Sequence, residues 1–187
     1  MEDIYKQIWD LSLPYQDLRN DKSHALIVYE FALKLCDKLN GDKTIALPAA
    51  ILHDIGWSKV SKEKRDYAVS PDKNKDKEKV IRIKHEKEGK ILANEILNKV
   101  NYPKEKINLI LNIIDGHDTR KEFLSKEDGI VKDSDKLWRY TKKGILLDIE
   151  RGHSKEFLIN KLKDRLETYF YSEESKKIAI EELNKFI

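Results

Sequence analysis

Five side chains that can bind a metal ion occur in the order His24, His53-Asp54, His85 and His117, and a carboxylate at Asp133 or Asp135 follows them. His53 and Asp54 are adjacent at the end of the apolar run Leu47-Pro48-Ala49-Ala50-Ile51-Leu52, just before Ile55-Gly56. Neighbouring side chains on a helix point roughly 100° apart, so both reach one ion only where they face a shared cleft. Neutral imidazoles suit first-row transition ions such as Mn, Fe, Co, Ni or Zn, while aspartates add charge and can bridge. Each residue also has an ordinary use. His24 can serve as a cap or core residue at the start of an apolar helix, and His117 can favour a helix C-terminus. His85 stands among charges between Lys84 and Glu86. Four of the five histidines nevertheless join the series; His153, after Arg151-Gly152, lies outside it and reads as a surface residue.

Helices must position these groups. Ser23 can cap a helix running to about Asn40, with Leu26, Ile27, Phe31, Leu35 and Leu39 at apolar positions and Gly41 stopping it. A second helix, about Thr44 to His53, is apolar on most sides. A longer one starts near Lys77, carries Val80, Ile83, His85, Ile91, Ile96 and Leu97, and breaks at Asn101-Tyr102-Pro103. Pro103 opens another, about Glu105 to Asp115, ending before Gly116-His117. Helices are expected around 130–143, 155–170 and 173–186. No strand alternation, repeat or domain boundary stands out, so the pattern predicts one all-α domain. Between Trp57 and Glu78 periodicity lapses in a charged stretch interrupted by Ser70-Pro71-Asp72. It reads either as a solvated loop or as a lid whose lysines face an anion.

Composition narrows the class. At 187 residues the chain can build one domain with a real core. Its 37 basic and 34 acidic residues nearly cancel to +3, a mild bias towards anionic ligands that gives no support for nucleic acid. The single cysteine, Cys36, excludes an internal disulfide and reads as a buried thiol. No signal-peptide core or membrane-length apolar run is present, so a cytoplasmic protein with no membrane partner is expected.

The order His…His-Asp…Asp, with the pair written His53-Asp54-Ile55-Gly56, resembles the HD superfamily of metal-dependent phosphohydrolases over about residues 20–145. Asp133-Ser134-Asp135-Lys136-Leu137 is similar to that family's closing Ala-Asp-Arg-Leu, which implies Asp135 rather than Asp133 as the last ligand; spacing alone does not rank them. The resemblance implies a helical bundle with His24, His53, Asp54 and Asp135 as metal ligands. His85 and His117 match the extra histidines of binuclear branches. The short set holds one ion, whereas six ligands suffice for two ions about 3.5–4 Å apart, bridged by Asp54 and a hydroxide. The implied reaction is cleavage of a phosphoester or phosphoanhydride of a nucleotide or other small phosphorylated metabolite by metal-activated hydroxide. Arg19, Lys84 and Arg139 are the cations expected to serve that reaction beside Asp54, although Arg139 is equally placed for an intrahelical pair with Asp135.

Branches within the superfamily divide on finer points. Length and ligand order resemble the symmetrical dinucleoside tetraphosphate hydrolases. The Gly-Tyr-Pro signature of cyclic-di-GMP phosphodiesterases is absent, and Ile55-Gly56 stands where alarmone hydrolases have Glu-Asp. The same ligand order also occurs in HD-fold di-iron oxygenases similar to myo-inositol oxygenase, and a catalytically inactive nucleotide-binding module is a third alternative. The apolar stripe Phe157, Leu158, Leu162, Leu166, Tyr169 and Phe170 suits either the chain's own core or a homodimer interface.

Overall fold

Apolar residues at helical spacing recur along almost the whole chain, and a computed structural model of residues 1–187 contains ten α-helices and no strand. In order these are α1 (Asp3–Ser12), α2 (His24–Leu39), α3 (Lys43–Leu52), α4 (Lys62–Val69), α5 (Lys75–Lys99), α6 (Lys104–Ile114), α7 (Lys126–Trp138), α8 (Lys142–Glu150), α9 (Lys155–Arg165) and α10 (Glu173–Asn184). Short 3-10 turns cover Leu13–Tyr15 and Ile55–Lys59.

The apolar run that ends at His53 becomes the centre of the bundle. Ala46 to Leu52 are all buried, and α3 packs against α1, α2, α6 and α7. Asp42 starts this helix by accepting a hydrogen bond from the Thr44 amide. Pro48 lies inside it. Having no N–H, it cannot serve the carbonyl four residues back, and the Tyr102 hydroxyl donates to that Thr44 oxygen at 2.6 Å instead. A proline in the central helix is thus accommodated by a side chain from the turn before α6.

Several boundaries differ from the expected ones for local reasons. Ser23 precedes α2 in a left-handed conformation (φ 74°) and makes no side-chain capping bond. Asn40, also left-handed, ends that helix. The single helix expected over 130–143 is two: α7 stops at Trp138, and Thr141 opens α8 by accepting from the Gly144 amide. Cys36 is buried in the core, where burial pushes its thiol up to about 12.

The stretch 57–78 is neither a wholly solvated loop nor irregular. Trp57, Val60 and Ala68 bury against Ile81 in a small cluster of their own, α4 forms within it, and its last residues begin α5. Most of the C-terminal stripe packs inward: Leu158 and Leu162 are buried, and Leu166, Tyr169 and Phe170 pack partly buried on the main core, whereas Phe157 is exposed. No helix is long and apolar enough to cross a membrane.

Candidate metal centre

His24 is the first residue of α2, His53 and Asp54 follow α3, His85 lies mid-way along α5, His117 follows α6 and Asp135 is on α7. The bundle brings all six together as two adjoining groups of donors. His24, His53 and Asp135 form the first; Asp54, His85, His117 and Asp118 form the second. Each set could hold a metal ion.

Asp54 faces both groups. Its Oδ2 lies 3.2 Å from His24 Nε2 and 3.6 Å from His53 Nε2. Its Oδ1 lies 3.5 Å from His117 Nε2 and 4.0 Å from His85 Nε2. Asp135 Oδ1 completes the first group at 3.2 Å from His24 Nε2 and 3.7 Å from His53 Nε2. Asp133, two residues earlier, is wholly buried elsewhere and accepts hydrogen bonds from the Tyr171 and Ser172 amides.

Backbone carbonyls orient two of the imidazoles. His53 Nδ1 donates to the Ala50 carbonyl at 2.7 Å, and His117 Nδ1 donates to the Ile114 carbonyl at 2.9 Å. With Nδ1 committed to a carbonyl, each ring turns Nε2 towards the cluster, the atom that would bind a metal once it is free of a proton. His24 and His53 bring their Nε2 atoms to 3.1 Å of each other. Four buried imidazoles and three carboxylates, aimed at one another and largely shielded from water, fit a pair of divalent cations by the chemistry of the donors.

The electrostatics follow the geometry. Burial favours the neutral form of Asp54, but Arg19 and the surrounding imidazoles hold the carboxyl well below its usual range. Burial likewise works against the Asp135 charge and is overcome by hydrogen bonds from His24 and His53. Burial opposes a charge on His24, yet hydrogen bonds to Asp135 and Asp54 raise it to about 9. His117 reaches about 10 in the same way, through Asp54 and Asp118. Burial prevails at His85 and lowers it.

Trp57 holds the turn after Asp54. Its indole N–H donates to Asp54 Oδ1 at 3.0 Å, and its ring stacks on His85 at 4.1 Å, 12° from parallel. The turn can approach α5 because residues 56 and 89 are glycines: a Cβ on Gly56 would stand 1.9 Å from the His85 carbonyl oxygen.

Among the expected cations, Arg19 bonds Asp54, pairs with Asp21 at 2.8 Å, and lies over Trp57 at 4.8 Å. Arg139 Nη2 is 4.0 Å from Asp135 Oδ2. Lys84 is exposed, while His85 beside it is fully buried, because adjacent helical positions face different ways. Arg82, one turn before His85, pairs with Asp118 at 2.5 Å. His153 is also not a plain surface residue. It is half-buried and lines a cleft that Arg82, Asp118 and Arg139 share.

Sequence reading missed Arg82, Asp118 and Glu86. His117-Asp118 repeats the His-Asp dipeptide, a signal that was available. Asp118 Oδ2 lies 3.1 Å from His85 Nε2. Glu86 is buried and fixes the loop beneath it, accepting from the amides of Asp118 and Thr119, each at 2.9 Å, and from the Thr119 hydroxyl.

A helical bundle enclosing paired His/Asp donor sets defines a class of metal-binding α-domain, and comparison with known proteins specifies it. The HD domain family model matches residues 22–140, and the chain belongs to that family. A crystal structure described as a predicted HD superfamily hydrolase from an uncultured Thermotogales bacterium is similar over 98% of this chain and 84% of that one. The TM-score is 0.61 at 20% identity, a likeness of fold. A search of curated proteins found no match.

Proposed function

We propose that this protein is a metal-dependent phosphohydrolase acting on a nucleotide or another small phosphorylated metabolite. The observation that carries the reading is Asp54, with one carboxylate oxygen towards each donor group, in a donor cluster that meets three guanidinium groups: Arg19 at Asp54, Arg82 at Asp118 and Arg139 near Asp135. Divalent ions bound there would supply Lewis acidity to the phosphoryl oxygens and lower the pKa of a water nucleophile.

The chain's own residues do the rest. Arg82 and Arg139 stand at the donor side of the cleft, where their planar forks can grip phosphoryl oxygens. Arg19 balances the Asp54 charge in a site with little water. Trp57 covers His85 and fixes Asp54, keeping the donors in place. Hydrolysis adds water across a P–O bond: oxygen from water joins phosphorus, and a proton leaves with the departing oxygen. Di-iron oxygenase chemistry would use the same histidines and carboxylates, and its test below separates the two.

The test replaces His53 or Asp54 with Ala and measures bound metal and phosphate release together. Both should fall, activity by about a thousandfold, the loss expected when several kcal/mol of charge stabilisation disappears. Turnover retained by a metal-free variant would sink the proposal. Oxygen consumption with a polyol or phosphonate substrate, without phosphate release, would replace it with the oxygenase. Metal binding with neither activity would leave the inactive nucleotide-binding module.

A further inference from the structure

We infer that the cleft beside the donors binds a linear chain of two or more phosphoryl groups, so that the bond cleaved is a phosphoanhydride. This rests on the phosphohydrolase reading and narrows its substrate class. The cleft has a volume of about 640 Å³ and is lined by Lys73, Lys75, Arg82, Arg139, Lys161 and Arg165. Its two lining carboxylates, Glu78 and Asp118, are both engaged by Arg82, at 2.9 and 2.5 Å. Lys73, Lys75, Lys161 and Arg165 form no ion pair with a carboxylate. Lys73 donates to the Ser70 carbonyl, Lys161 lies over the Phe157 ring at 5.4 Å, and Arg165 lies over the Tyr169 ring at 5.0 Å.

This positive charge is concentrated, since the whole chain carries only +3. It is gathered from three places in the chain: α5 with the turn before it, the end of α7, and α9. Arg82 and Arg139 stand at the inner end, against Asp118 and Asp135. Lys73 precedes α5 and Lys75 begins it, and Lys161 and Arg165 lie on one face of α9, four residues apart. A smaller void of about 70 Å³, lined by Arg19 and His24, shares Lys73, Arg82, Arg139 and Lys161 with the cleft and links it to the donors.

Keeping these charges together has a cost. Burial, with Arg82 and Arg139 adding repulsion, pushes the Lys73 ammonium down, and burial with Arg165 does the same to Lys161. A phosphomonoester carries about −2 and, seated at the donors, would answer only the inner arginines. Each further phosphoryl group adds negative charge that Lys73 and Lys161, which line both the void and the cleft, and Lys75 and Arg165, which line the cleft alone, would answer. The chain could be inorganic polyphosphate or the tail of a nucleoside di- or triphosphate. Phe157, 54% exposed, and His153, 7° from parallel to it, would give a base an aromatic rim.

The experiment is calorimetric titration of the metal-loaded protein with phosphate, imidodiphosphate and adenosine β,γ-imidotriphosphate, the last two being resistant to hydrolysis. Imidodiphosphate should bind at least about tenfold tighter than phosphate. In Lys161→Ala/Arg165→Ala that margin should shrink to about threefold or less. Lys99→Ala/Lys104→Ala, which removes the same charge from exposed positions away from the cleft lining, should keep the margin. Equal binding of phosphate and imidodiphosphate, or equal losses in both double variants, would overturn the inference. A further gain with the adenosine compound, abolished by Phe157→Ala, identifies a nucleotide; no gain identifies the inorganic chain. Phosphate release from monoesters without a diphosphate preference would overturn the cleft assignment alone. Diphosphate binding without hydrolysis of any phosphorylated compound would overturn the phosphohydrolase.

Discussion

Asp54 faces two donor groups at once, and Arg19 is bonded to the same carboxylate oxygen that points at His24 and His53. Charge compensation in the metal-free protein therefore comes from the guanidinium and from protonated imidazoles. His24 and His117, raised to about 9 and 10, carry protons at neutral pH. Their folded-state values lie above the ordinary histidine value of 6.5, so their charged pairs stabilise the metal-free fold below about pH 6.5. That contribution fades as pH rises through about 9 to 10. A metal needs the bare nitrogens, so its binding must expel those protons. Metal affinity should then rise with pH across this window, about tenfold per unit for each proton displaced. Titrations at pH 7.5 in buffers of different ionisation enthalpy should show proton release; none would mean that both imidazoles are already neutral.

At the scale of elements, the site depends on one turn meeting one helix. The 3-10 turn Ile55–Lys59 presses on α5 at Gly56 and Gly89, which sets Trp57 on His85 and Asp54 beside them. Gly56→Ala would drive a methyl into the His85 carbonyl, a backbone atom that cannot step aside. Overpacking of this kind costs about 1–3 kcal/mol and moves the backbone. The variant should show a lower denaturant midpoint and a weakened second metal, while Gly41→Ala, which meets the movable end of Ile130, should cost less. A full complement of tightly held metal in Gly56→Ala would show that the turn does not position the donors.

Across the whole molecule, +3 spread evenly would steer little. The cationic lining of the cleft, close to the donor groups, is a local field of one sign. Substrate association should accordingly be sensitive to salt. Between 0.05 and 0.5 M ionic strength kcat/KM should fall by about tenfold, mostly through KM, as the Debye length shrinks below the width of the cleft. A flat salt profile would mean that the cations do not attract substrate.

The sequence by itself determined what depends on local order. Helical spacing marked most helices within a few residues, because each apolar stripe is written along one segment. The central helix declared itself by being apolar on most sides, and the donor series could be assembled from residue type and order. Resemblance, rather than spacing, separated Asp135 from Asp133. What tertiary structure decided was direction and company. Lys84 is the cation next to His85 in sequence, but the packed face of α5 brings Arg82, three residues before it, to Asp118. Asp118 joins the donors only because α5 brings His85 to 3.1 Å from it. The cleft cations come from elements dozens of residues apart, and Tyr102 reaches back across the fold to the carbonyl that Pro48 leaves free. Periodicity is a property of one helix, whereas the facing of side chains across a bundle is fixed only when helices pack together.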